Sequence, residues 1–250
     1  MEQDLIVSRA LVELFSHPEV CRALAFRGGT ALHKLHLDSA RYSEDIDLVQ
    51  VHQEPIGQTI DAVRATLSPW LGESVNWEQK HARFTLQYEV ESEPTDAPPI
   101  RLKVEINTRE HFFANEFDRV LFEVDSPWLQ EETDLRTYQL EELLGTKLRA
   151  LYQRDKGRDL FDLWYAWNSL EFSTNEVVDI SRTYLERNDN CPSRAEFEIN
   201  LADKREKTGF RTDVDPLLAR DVEWDAEEAF DTILSEFVAQ FPGDPWKVSE

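Results

Sequence analysis

The stretch Phe26 to Leu48, FRGGTALHKLHLDSARYSEDIDL, constrains this chain more than any other. Leu24, Ala25 and Phe26 predict a short buried strand that runs into Gly28 and Gly29. Glycine admits backbone conformations and close approaches that side chains forbid. Thr30 to Leu35 predicts a helix start with Thr30 near its cap, and backbone N–H groups at such a start can hold a phosphate. Asp45 to Val49 then predicts a strand. Alternate strand residues share a face, so Asp45 and Asp47 point together while Ile46 and Leu48 point the other way. Two adjacent carboxylates repel each other. A divalent cation relieves that repulsion, and Mg²⁺ bound with nucleotide phosphates favours such ligands.

A strand, a GG(S/T) turn with its helix, and a DxD strand in that order resemble the opening of the polymerase-β-like nucleotidyltransferases. Arg41-Tyr42-Ser43-Glu44-Asp45-Ile46-Asp47-Leu48 narrows the match. It resembles the AbiEii/AbiGii-type nucleotidyltransferase toxins of type IV toxin–antitoxin systems, MenT-like proteins among them. Residues 143–164, LLGTKLRALYQRDKGRDLFDLW, resemble the second signature of that family, a lysine helix followed by RxxxRDxxDL. The resemblance implies that Asp45 and Asp47 hold Mg²⁺, with Mn²⁺ as an alternative, and position an NTP. It implies that Gly28, Gly29, Thr30 and Ser43 cradle phosphate, that Lys147 and Arg158 contact the nucleotide, and that Asp162 completes the active site. It also implies an antitoxin encoded nearby and, as in MenT-like relatives, nucleotide addition to tRNA 3′ ends that blocks translation.

Other charged residues join this set. In Ile100 to Thr108, Leu102, Val104 and Ile106 share one strand face, and Arg101, Lys103, Glu105 and Asn107 the other. Glu105 is a candidate third carboxylate, able to bind metal or to help deprotonate an attacking hydroxyl. The same alternation also describes a solvated strand face. Leu140, Leu143, Leu144, Leu148 and Leu151 predict one apolar helix face, Lys156-Gly157 a turn, and Arg158 to Trp167 a second helix. Lys147 falls on the polar side of the first helix, where truncation to Ala should change stability by no more than about 0.5 kcal/mol. Asp159 and Asp162 are neighbours on the second helix. Arg149, Arg154, Lys156 and Arg158 form a local basic cluster, the expected RNA contact. By themselves these charges also read as a salt-bridged surface hairpin.

Composition sets limits. Lys and Arg number 27 against 50 Asp and Glu, a net charge of −23. A general nucleic-acid binder should be basic, so any RNA contact must use a local patch. No apolar run approaches the roughly 20 residues of a membrane span, and the N-terminus lacks the pattern of a secretory signal. Cys21 and Cys191 stand far apart without a CxxC, which predicts a reducing, cytoplasmic setting without zinc. Helices are expected over 3–16, 55–71 and 225–241, β structure including Val75, Trp77 and Phe84 over 74–91, and a strand over 118–124 followed by an acidic turn at Glu131-Glu132. Capping boxes are expected at Ser173 and Ser193, a loop over 92–99, and a mobile polar loop over 203–215.

The expected fold is α+β: a polymerase-β-like core with a mixed sheet over 1–135, and a mainly helical region over 136–250 that completes the active cleft. The expected function is transfer of a nucleotide from NTP to RNA. Two alternatives stand beside it: a nucleotidyltransferase acting on a small molecule or a protein hydroxyl, and a non-catalytic nucleotide- or partner-binding module.

Overall fold

The computed structural model describes residues 2–37, 40–43, 45–73, 76–80, 82–92, 98–187 and 189–247. Glu44 of the acidic motif, Val75 of the expected strand and residues 93–97 of the expected loop lie outside the described residues. The chain divides into two units, Met1–Leu35 with Ser43–Gln139, and His36–Tyr42 with Leu140–Glu250.

In the first unit, α1 (Glu2–Ser16) buries Val7, Ala10, Leu11, Leu14 and Phe15 along one stripe. The following proline does more than end it. Pro18 opens a second helix, α2 (Pro18–Ala23), and the His17 ring accepts the Glu19 N–H at the cap. Proline suits this place because the N–H it lacks would have no partner within the helix. Next come β1 (Leu24–Arg27), α3 (Gly28–Leu35), β2 (Asp45–Gln50) and α4 (Gly57–Leu71). Five strands follow: β3 (Asn76–Lys80), β4 (Arg83–Val90), β5 (Ile100–Asn107), β6 (Asp118–Ser126) and β7 (Leu129–Thr137).

Among the described residues the strands form one seven-stranded sheet in the order β3-β4-β5-β2-β1-β7-β6. The sheet is mixed: β2 pairs with β5 and β1 with β7 in parallel, and the other neighbours are antiparallel. Buried on it are Ile46 and Leu48 of β2, Leu102, Val104 and Ile106 of β5, and Phe84, Leu86 and Tyr88 of β4. Trp77 of β3 is instead 57% exposed. Helix α1 packs on β2, β5 and β7, and α4 packs on β4, α1 and α2. The expected acidic turn at Glu131-Glu132 is a strand. These residues lie within β7, paired with β6, and the chain reverses between Ser126 and Leu129. Their charges tolerate this because both are exposed.

The second unit contains α5 (Leu140–Gln153), α6 (Gly157–Ser169), α7 (Thr174–Glu186), α8 (Arg194–Arg205), α9 (Thr208–Arg211) and α10 (Ala226–Glu236), with short 3-10 turns at Asp215–Leu217 and Val238–Gln240. Its core joins Leu143, Leu148 and Leu151 with Phe161, Leu163, Val177, Phe197, Leu201, Phe230 and Phe237. Ser173 and Ser193 cap α7 and α8, and Ser193 forms a full capping box with Glu196.

The region expected as a mobile loop, 203–215, is ordered. Phe210 and Lys204 are buried, and the Lys204 ammonium donates to the carbonyls of Leu151 and Tyr152 at the end of α5. Gly157 makes this packing possible. A Cβ there would lie 1.9 Å from the Phe210 carbonyl oxygen, so the start of α6 can approach α9 only without a side chain.

Candidate active site

In the first unit, the glycine turn and the DxD strand meet directly. Gly28 has φ +82°, and a Cβ at that position would lie 2.5 Å from the Asp47 Oδ2. Backbone conformation and space therefore both demand glycine. Gly29 follows in the first turn of α3. The Thr30 hydroxyl lies 2.5 Å from the Ser43 hydroxyl and donates to the Asp45 carbonyl. Gly28, Thr30, Ser43, Asp45 and Asp47 are thus one connected arrangement.

Strand register builds the rest. Across β1, β2 and β5, Arg27 lies opposite Asp47, and Asp47 opposite Glu105. Asp45 lies opposite Lys103. The Lys103 ammonium is 3.0 Å from Asp45 and 3.2 Å from Glu105. Arg83 holds the other Glu105 oxygen at 2.8 Å. Arg27 pairs with Glu110 at 2.7 Å. Burial pushes the Asp47 carboxyl above its usual range, Arg27 opposes this, and Glu105 and Asp45 reinforce it. Burial also acts to raise Glu105, but Arg83 and Lys103 outweigh it and hold this carboxyl low. A carboxylate held low is a weaker proton acceptor, so Glu105 is better suited to orientation than to taking a proton.

The donor chemistry suits a divalent ion. Two neighbouring carboxylates, one of them pushed up by burial and like charge, form a negative site for a hard cation. Glu105 does not extend this to a three-carboxylate set. Among the described residues no three His, Cys, Asp or Glu side chains converge as metal ligands.

In the second unit, Lys147 and Asp162 form a buried ionic node, which corrects the expectation of an exposed lysine. Lys147 is 6% exposed and Asp162 is fully buried. The Lys147 ammonium lies 3.0 Å from Asp159 and 2.7 Å from Asp162. Arg41 grips Asp162 with two bonds, Nε to Oδ1 at 2.6 Å and Nη2 to Oδ2 at 2.7 Å. Ala40 and Tyr42, on either side of Arg41, are fixed in this unit by Tyr42 N–H to the Leu217 carbonyl at 2.8 Å and Ala219 N–H to the Ala40 carbonyl at 2.9 Å. Burial raises Asp159, yet Lys147 and Arg154 together hold it below the usual carboxylate range.

The basic cluster is a set of partnered cations. Arg154 bonds Asp159 at 2.6 Å, and Asp213 takes Arg158 at 3.0 Å and Lys156 at 3.5 Å. Arg149 lies over the Tyr184 ring at 4.7 Å. Sequence reasoning gave no role to Arg27, Arg41, Arg83 or Lys103. For Lys103 a signal was present, since it alternates with Glu105 on one strand face. The carboxylate partner of Arg41, Asp162, lies far away in sequence and leaves no local signal.

A family model described as "Nucleotidyl transferase AbiEii toxin, Type IV TA system" matches residues 9–236. No curated protein matches the sequence. Among solved structures, MenT4, a nucleotidyltransferase toxin from Mycobacterium tuberculosis H37Rv, superposes with a TM-score of 0.63 at 15% identity, over 96% of this chain and 82% of that one. A putative nucleotidyltransferase from H. pylori superposes with a TM-score of 0.55 at 17% identity, over 96% of this chain and 92% of that one. At such identities the likeness concerns the fold, and the fold is that of an α+β nucleotidyltransferase.

Proposed function

The chain belongs to the AbiEii family of nucleotidyltransferase toxins, and on that premise we propose that it transfers a nucleotide from an NTP to an RNA 3′ end, most readily that of tRNA, and so blocks translation. The observation that carries the reading is the apposition of the Gly28 turn to Asp47, with Thr30 and Ser43 tied to Asp45. Asp45 and Asp47 would hold Mg²⁺ or Mn²⁺, which supplies charge neutralisation on the triphosphate. Gly28, Gly29 and Thr30 receive phosphate oxygens through backbone N–H groups, and Ser43 through its hydroxyl. Glu105, held ionised by Arg83 and Lys103, orients its neighbours. In the second unit, Asp159 and Asp162 fix Lys147, and Arg41 fixes Asp162 in turn. Such preorganised charge is the main contribution a protein makes to phosphoryl transfer. Family membership supports an antitoxin as partner, and the two distant cysteines support a reducing, cytoplasmic setting.

A second reading, transfer to a small molecule or protein hydroxyl, is favoured by one observation. Arg154, Lys156 and Arg158 already face carboxylates, in a chain of net charge −23. The carboxylates that hold these cations are buried or nearly so, and the patch offers RNA little surplus positive charge.

Incubation with each labelled NTP, Mg²⁺ or Mn²⁺ and total cellular RNA separates the readings. Label at RNA 3′ ends, lost in Asp45→Asn and Asp47→Asn, is the expected result. Label on a low-mass product or on protein selects the second reading. No labelled product with any NTP leaves a non-catalytic binding module.

A further inference from the structure

We propose that Lys103 is a built-in cation standing where a second metal ion would sit between Asp45 and Glu105, so that these carboxylates take up one divalent ion and not two. The inference rests on the metal reading of Asp45 and Asp47 above and goes beyond it in assigning a positioning residue and an ion count.

Parallel pairing of β2 with β5 places four side chains as a square on one sheet face: Asp45 beside Lys103, and Asp47 beside Glu105. The Lys103 ammonium reaches along its own strand to Glu105 and across to Asp45, at 3.2 and 3.0 Å. An ion bridging these two carboxylates would need the place the ammonium fills. Glu105 is closed on its other side as well, because Arg83 lies 2.8 Å from Oε1 while Lys103 holds Oε2. Any further divalent ion at Glu105 must displace one or both cations. Asp47 has no such bond from Lys103. The opposing charge that acts on it most strongly is Arg27, its neighbour across the strands, which is also shared with Glu110. The square therefore carries its own positive charge between the diagonal pair Asp45 and Glu105 and leaves the Asp45–Asp47 edge to a metal. Lys103 also fixes the orientation of Asp45, since one ammonium held by two carboxylates restricts all three side chains.

Ion counting tests this without an activity assay. The full chain is titrated with Mn²⁺ alone and free Mn²⁺ is followed by electron paramagnetic resonance. About 0.3 M potassium chloride screens loose attraction to the acidic surface. Only ions lost in the paired Asp45→Asn, Asp47→Asn variant are counted. Wild type is expected to hold one such ion. Lys103→Met should hold two, because removal of the ammonium exposes the Asp45–Glu105 pair. Adding Glu105→Gln to Lys103→Met should return the count to one, and Lys103→Arg, which keeps the charge, should stay at one. Circular dichroism melts confirm that each variant is folded. Should Lys103→Met fold poorly, Lys103→Gln serves the same purpose. One ion in both wild type and the neutral variant overturns the role of Lys103 and leaves the metal reading standing. No ion in either chain overturns both.

Discussion

A lysine whose ammonium lies between two buried carboxylates cannot be trimmed like a surface lysine. Lys147→Ala leaves Asp159 and Asp162 with one cation fewer in a site that water does not reach. Arg41 still holds Asp162 and Arg154 still holds Asp159, which limits the loss. Breaking buried pairs typically costs several kcal/mol, and we expect Lys147→Ala to lose about 3 kcal/mol in urea unfolding. A change within about 0.5 kcal/mol would show the node to be dispensable. Lost turnover in this variant therefore reports on folding as well as chemistry. Gly28 allows a cleaner test of the site. Alanine there must adopt φ +82° and push its Cβ into Asp47. Gly28→Ala should lower turnover at least tenfold, about 1.4 kcal/mol of barrier, with a smaller effect on the global melt. Normal turnover would detach the glycine turn from the DxD site.

The helix junction at Lys204 carries a charge of its own. Lys204 is 2% exposed, and burial pushes its ammonium down to about 8, partly offset by Asp155 and Asp159. The lysine of the unfolded chain titrates near 10.4. Between these values the unfolded chain binds a proton that the folded chain does not, so stability rises with pH across this window. Below about pH 8 both states are charged and the full burial penalty applies. Comparison with Lys204→Met isolates the effect from other groups that titrate there. The stability of wild type relative to Lys204→Met should rise from pH 8 to 10, and a flat difference would mean that the α5 carbonyls keep the ammonium charged.

The same junction shows what the sequence could and could not reveal. Helices α1, α5, α6 and α10 were legible because their apolar residues recur on one stripe, and β2 and β5 because theirs alternate. The order of 203–215 was not, because polar residues there are held by distant partners: Lys204 by α5, and Asp213 by Arg158. Strand β7 was masked by its exposed glutamates. At the site, Asp45, Asp47 and the glycine turn were legible from local spacing, and Glu105 from its strand face. The grip of Lys103 on two carboxylates depends on register between strands, and that of Arg41 on a residue 121 positions away.

At the scale of the whole molecule, the balance of charge governs the response to salt. With 50 acidic and 27 basic side chains, the folded chain concentrates negative charge that the expanded chain spreads out. Self-repulsion of this kind destabilises the compact state, and salt screens it. Ion pairs act in the opposite direction, since screening weakens them. Most pairs in the described residues have an exposed partner, as in Arg22–Glu54 and Lys207–Asp155, and such pairs contribute little. The buried node of Arg41, Lys147, Asp159 and Asp162 is sheltered from screening. Repulsion should therefore prevail, and the melting temperature should rise as sodium chloride goes from about 20 to about 300 mM. The RNA binding proposed above should respond the other way, because each phosphate contact on a single strand lowers affinity with a logarithmic slope of about 0.7. Melting curves recorded without RNA separate the two effects. A melting temperature that falls with salt would show that ion pairing, and not net charge, controls the stability of this chain.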